Sequence, residues 1–247
     1  VKRLYLKGPY CIGGKIKLIK RKESPYKEFE FTPNQVRNIF SFKGWSKIAA
    51  FHTRNPIHKA HEFLQRRAIE KYNLDGVLLH PVVGQKKKGD FLSNVIIESY
   101  QIMINNFYPN NSYVFGTFGG YSHYAGPREA LFTALVRKNF GCNYFILGRD
   151  HTGVGNYYSS KQTEELFDNV GNIGITPIFF NEIYFSNSQN SYVEKNDENI
   201  ENYTNISGTE VRDMFNNNII PPDWFMRKEI SKMILSKIKN GENVFVE

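Results

Sequence analysis

The residues of this sequence best suited to chemistry lie within Lys47–Glu62, KIAAFHTRNPIHKAHE, where His52, Thr53, Arg54, Asn55, His58 and His61 crowd into one short stretch. Arginine offers a rigid fork of donors that matches planar or tetrahedral oxyanions. His58 and His61, three apart, share one face of the first turns if the stretch is helical. A helix N-terminus adds free backbone N–H groups and the positive end of its dipole, so these types at this spacing describe an anion site. A second cluster, GRDHTGVG from Gly148 to Gly155, combines glycines that let backbone approach a ligand with a cation, Arg149, and a switchable donor, His151. A third loop, GQKKKGD from Gly84 to Asp90, holds three consecutive lysines.

Each cluster needs an element to hold it. Ile48 to Phe51 is an apolar run that reads as a buried strand, and Asn55 and Pro56 read as N-cap and first residue of a helix running to about Tyr72. Further strands are expected at Val77–Val83, Tyr113–Phe118, Tyr144–Leu147 and Ile175–Phe180. Helices are expected at Ser93–Phe107, Pro127–Asn139 and Ser159–Phe167. Strands this apolar, alternating with helices of this length, specify an α/β fold with a Rossmann-like parallel sheet covered on both faces. Ligands of such sheets bind beyond the carboxyl ends of the strands, where all three polar loops fall.

Outside this unit the chain reads differently. Residues 1 to about 30 have the look of β-hairpin material around Gly13-Gly14, and Phe29 to Gly44 that of a short helical linker started by Thr32-Pro33. Ser186 to Asn205, rich in Asn, Ser and Glu, reads as an exposed loop, and the remainder as two helices broken at Pro221-Pro222. The organisation is therefore 1–40, a β-rich segment with its linker; 41–185, the α/β unit; and 186–247, an exposed loop with a small C-terminal helical element.

Composition bounds the partners. The chain has 247 residues, with 15% aromatic content, enough for a real core. Two cysteines, Cys11 and Cys142, are too few for a disulfide framework and lack metal-ligand spacing, so they read as reduced thiols in a cytoplasmic protein. No apolar run reaches the ~20 residues of a membrane helix, and no signal-peptide segment opens the sequence. The net charge of +8 is carried largely by Lys15–Lys27 and Lys86–Lys88 without an interleaved aromatic motif. This favours a solvated basic face that attracts small anions over nucleic-acid binding.

The run Thr53-Arg54-Asn55-Pro56, with His58, Ala60, His61 and Glu62, resembles the signature QTRNPxHxAHE of the ATP sulfurylase family, and more generally the HxxH motif of nucleotidyltransferases. GRDHTG resembles that family's GRDHAG, Ala125–Cys142 resembles the stretch before it, and ISGTEVR with PDWF resembles its C-terminal element. Gly8–Ile19 resembles the closing strands of the family's small PUA-like N-terminal domain, making residues 1–40 a remnant of that domain with its linker. His52 stands where the family has Gln, and Thr152 where it has Ala.

The resemblance implies adenylyl transfer from MgATP to sulfate, with pyrophosphate leaving. Arg54, the side chain at His52 and the backbone N–H of Thr152 would hold sulfate. Thr53 and Asn55 would contact the ATP phosphates, with His58 and His61 stabilising charge on them in the transition state. Arg54 and His52, with Gly148, Arg149, Asp150 and His151, would border the nucleotide. Ile183 would give adenine a backbone contact, with Phe180 beside it. Mg²⁺ would arrive with ATP, and the chain would be a homo-oligomer.

Read from the residues alone, Asn55 and Pro56 serve equally as a plain helix cap and start, and His58 and His61 as partly exposed surface histidines. Lys86–Lys88 read as a solvated loop, Glu62 and Asp90 as structural, His80 as a core histidine, and Tyr121 and His123 as lining the cleft or merely packing. Three functions compete with sulfate adenylyl transfer: a related nucleotidyltransferase using another oxyanion or a phosphorylated acceptor, a nucleotide-binding module without catalysis, and, more distantly, a basic RNA-binding protein.

Overall fold

The computed structural model describes residues 6, 8, 10, 12–20, 23–148, 157–195 and 203–247. Five short strands, β1 (Ile48–Phe51), β2 (Gly76–Leu79), β3 (Tyr113–Phe115), β4 (Tyr144–Leu147) and β5 (Thr176–Phe179), form one sheet of order β3-β2-β1-β4-β5. Every pairing in it is parallel. β1 and β2 are buried at all positions, as strands covered on both faces must be.

The alternation of side chains along β1 feeds two cores. Ala49 and Phe51 face Leu64 and Ala68 of α2 (Lys59–Tyr72) and Val95, Ile96 and Tyr100 of α3 (Ser93–Asn106). Ile48 and Ala50 face Val36 and Phe40 of α1 (Pro33–Phe42), Ala130 and Ala134 of α4 (Pro127–Asn139), and Phe167 of α5 (Ser160–Val170). α1 starts as its sequence requires: Thr32 and Gln35 close a reciprocal capping box ahead of Pro33. Two further helices, α6 (Gly208–Asn216) and α7 (Lys228–Lys239), pack Val211, Phe215, Ile230 and Ile234 onto the first core.

The structure differs from the sequence reading in three places. α2 begins at Lys59 with His58 as N-cap, not at Ile57 behind an Asn55 cap. Asn55 is engaged instead in a local turn, its N–H donating to Thr53 Oγ1 at 3.2 Å, and Ile57 N–H donates across to Ser99 Oγ at 3.2 Å. Ser186–Asn205 is not simply a loop. β6 (Ile183–Ser186) pairs antiparallel with β7 (Ser191–Glu194) and with β8 (Tyr203–Thr204) in a second sheet. The polar residues there supply the turn, with Asn190 at φ 48°, while Tyr192 and Val193 supply the strand.

Among the described residues of 1–30 there is no strand, and Ile12, Ile16 and Ile19 are 102%, 95% and 97% exposed. A two-stranded hairpin needs a surface for its apolar face, and these side chains rest on none. Among the described residues no helix is long and apolar enough to cross a membrane.

The strand order fixes where a site belongs. β1 and β4 are hydrogen-bonded neighbours, yet the chain leaves β1 towards β2 on one side and β4 towards β5 on the other. The loops after β1 and β4 therefore diverge and open a crevice between them.

Candidate active site

Beyond Phe51 the chain keeps step with the segment following β2. His80 N–H donates to Phe51 O at 2.9 Å, and Val82 N–H to Thr53 O at 2.8 Å. Thr53 is buried, with its Oγ1 already accepting from Asn55. The loop His52–Asn55 is thus a fixed extension of the sheet rather than a free tether.

The two histidines meet as the spacing requires. His58 sits at N-cap in an extended conformation, and its carbonyl accepts from the N–H groups of His61 (2.9 Å) and Glu62 (3.2 Å). Their rings lie 3.6 Å apart, centroid to centroid. Phe225 stacks on His58 at 4.9 Å, and Phe51 meets His61 edge-on at 5.1 Å. Lys59 N–H donates to Phe225 O at 2.9 Å, so the Trp224-Phe225 pair anchors the start of α2 directly.

These surroundings keep both rings neutral at pH 7. Burial pulls His58 down to about 4. Burial, and then repulsion from His58, holds His61 well below its usual range. Nδ1 of each is buried with no hydrogen-bond partner among the described residues. A neutral imidazole can still donate one hydrogen bond, and an arriving anion makes protonation more favourable.

Arg54 brings the fixed charge. Its Nη1 is buried and likewise lacks a partner among the described residues, while its guanidinium carbon lies 4.9 Å from the centre of the Tyr124 ring. Lys87 Nζ lies 5.1 Å from the same ring. Lys86 departs from the expected solvated loop: it is half-buried, and its Nζ donates to Val82 O at 2.9 Å. Burial lowers its pKa to about 8, with Arg54 pushing the same way and Asp90 opposing. Lys87 and Lys88 are exposed, as a solvated loop would have them.

A cleft opens at Asn55 and His58, lined also by Ile183, Tyr192, Asn205 and Phe225. It continues past Gly148, Phe180 and Ile183 at the ends of β4 and β5. The structure therefore brings together Asn55, His58, Gly148 and Ile183 of the expected nucleotide residues. His52 is half-buried at the end of β1. Arg149, Asp150, His151 and Thr152 lie outside the described residues.

Glu62 is structural, as expected: it receives three hydrogen bonds from Arg227, at 2.7, 3.0 and 3.1 Å, with that guanidinium 4.0 Å above Phe107. Asp90 and His80 are buried, His80 between Phe118 and Phe140. Tyr121 and His123 pack on each other at 4.5 Å, both exposed.

Sequence reasoning missed Arg227, Tyr124 and the cleft residues Tyr192 and Asn205. The alternating Ser191-Tyr192-Val193-Glu194 was the available strand signal for Tyr192, masked by polar neighbours. Nothing in residue type marked Tyr124.

A family model described as ATP-sulfurylase matches residues 27–237. The sulfate adenylyltransferase of Pyrococcus abyssi is 39% identical over all of this chain and 64% of its own length. That of the cyanobacterium Synechocystis is 38% identical over 98% of this chain and 63% of its own. The chain thus spans less than two thirds of the length of these relatives. Among solved structures, a hexameric APS kinase from Thiobacillus denitrificans aligns over 88% of this chain and 41% of its own, with a TM-score of 0.70 at 20% identity, a likeness of fold.

Proposed function

The chain belongs to the ATP-sulfurylase family, and from that premise we propose that it carries the adenylyl-transfer site of a sulfate adenylyltransferase. In this reading a sulfate oxygen attacks the α-phosphorus of MgATP, the bond from that phosphorus to the bridging oxygen breaks, and pyrophosphate leaves. The products are adenylyl sulfate and pyrophosphate. Sulfate is a weak nucleophile that carries no proton to remove, so the protein's part is positioning and neutralisation of charge.

The observation that carries the reading is the close, neutral pair His58 and His61, with His58 lining a cleft, and with Arg54 on the loop that leads from β1 to them at the point where the strand order reverses. Arg54 would take the oxyanion through its buried Nη1, helped by His52 and the backbone N–H of Thr152. Thr53, whose Oγ1 accepts from Asn55, keeps its hydroxyl proton to donate to a phosphate, and Asn55 would reach the same group. His58 and His61 would donate to the α- and β-phosphates as charge develops. Gly148, Arg149, Asp150 and His151 would hold the nucleotide, with Ile183 at adenine. Mg²⁺ enters as part of the MgATP substrate. Cys142 is a buried free thiol, in keeping with a cytoplasmic setting. The family resemblance extends the reading to a homo-oligomer, which sedimentation would test.

The deciding measurement is pyrophosphate release from MgATP with sulfate, molybdate or phosphate as acceptor. Sulfate-dependent release is expected, falling about 10²- to 10³-fold in Arg54→Ala and His61→Ala. Release with another anion and none with sulfate would move the function to a related nucleotidyltransferase, the reading that His52 in place of Gln favours. The absence of release with every anion tried, despite ATP binding, would reduce the chain to a nucleotide-binding module.

A further inference from the structure

We propose that Tyr124 is a positioning residue for the oxyanion site, its ring holding the Arg54 guanidinium and the Lys87 ammonium together. The proposal deepens the reading above and rests on it, since it takes Arg54 as the oxyanion ligand.

Three observations carry it. Tyr124 has φ 56°, a left-handed conformation that a bulky residue adopts only when its surroundings impose it. Those surroundings are a clamp. Glu129, 4% exposed in the first turn of α4, accepts from His123 N–H at 2.9 Å and Ala125 N–H at 3.0 Å with its two carboxylate oxygens. The amides on either side of Tyr124 are therefore fixed by one buried carboxylate, itself favoured by the helix N-terminus. Gly126 closes the device at φ 57°, where a β-carbon would lie 2.3 Å from the Tyr158 ring.

The third observation is what the clamp presents. The Tyr124 ring is only half-buried, so it does not serve the core. It carries Arg54 at 4.9 Å and Lys87 at 5.1 Å from its centre. A negative ring face offsets the repulsion of the two cations, which share no carboxylate hydrogen bond among the described residues. Remove it, and Arg54, Lys86 and Lys87 repel one another towards solvent, costing the pre-positioned charge that a small dianion needs.

The test compares Tyr124→Asn with Tyr124→Phe. Asparagine tolerates the left-handed conformation, so the clamp and backbone persist while the ring is lost. Tyr124→Asn is expected to raise the KM for sulfate roughly tenfold with the KM for MgATP within about twofold, and Tyr124→Phe to stay within about threefold of the parent for both. A rise in both constants alike in Tyr124→Asn, a fall in kcat with the sulfate KM unchanged, or a loss in Tyr124→Phe equal to that in Tyr124→Asn would overturn the proposal. Should the parent protein release no pyrophosphate with sulfate, the reading itself fails. The positioning role is then judged by protection of the parent protein from thermal unfolding by inorganic sulfate or phosphate. Protection lost in Tyr124→Asn and kept in Tyr124→Phe supports it; protection unchanged in Tyr124→Asn, or absent in the parent, overturns it.

Discussion

At the scale of residues, this site places neutral histidines beside a permanent cation. His58 titrates at about 4 in the folded chain against 6.5 in its ordinary state. The unfolded chain therefore takes up a proton in that window which the folded chain refuses. The stability contribution is complete above pH 6.5 and is lost as the pH falls towards 4, and buried His61 and His80 act in the same direction. Melting midpoints between about pH 7 and about pH 5 should fall more steeply in the parent protein than in His58→Gln. Position 52 gives a second expectation: with a neutral amide donor in place of the imidazole, His52→Gln should shift the preference among sulfate, molybdate and phosphate, as read from initial rates of pyrophosphate release. Arg54, His58 and His61 were legible because type and spacing carry their chemistry. Tyr124 was not, because its part depends on a backbone conformation imposed by Glu129, which no residue type announces.

At the scale of elements, the point of interest is how the start of α2 is held. No side chain caps it. Its fixity comes from the far end of the chain: Phe225 stacks on His58, its carbonyl accepts from Lys59, and Arg227 grips Glu62. Arg227→Ala should destabilise the protein by about 2 kcal/mol, because a partly buried carboxylate loses its charged donors. Arg227→Lys should recover only part of this, since an ammonium cannot reproduce the two-pronged contact; denaturant unfolding of the three proteins checks both. The periodicities revealed the helices and the five parallel strands, but not the cap, since Asn55-Pro56 is a stronger local start signal than the one the tertiary contacts selected. The second sheet was hidden for a related reason. Two four-residue strands and one two-residue strand separated by Asn and Ser look like a loop until they pair.

At the scale of the whole molecule, the strand order sets the crevice and the charge sets its field. With a net charge of +8, Arg54 and Lys87 against Tyr124, and Lys86 near Arg54, capture of anionic substrates should weaken with ionic strength. kcat/KM for sulfate should fall several-fold between about 0.02 M and about 0.2 M inert salt while kcat changes little. The basic loop has one further tie. Gly89 N–H donates to Val246 O at 2.8 Å, Val246 N–H to Asp90 O at 2.8 Å, and Leu92 N–H to Val244 O at 2.9 Å, with the Phe91 and Phe245 rings tilted against each other at 4.7 Å. The loop of Lys86 and Lys87 thus borrows its backbone partner from a segment that a ribosome makes only after nearly all the rest of the sheet. During synthesis the sheet can close and the histidines can meet while the loop remains without that partner. The histidine pair and the basic loop therefore settle in that order, and the field around Arg54 sharpens only after the sheet that carries it has closed.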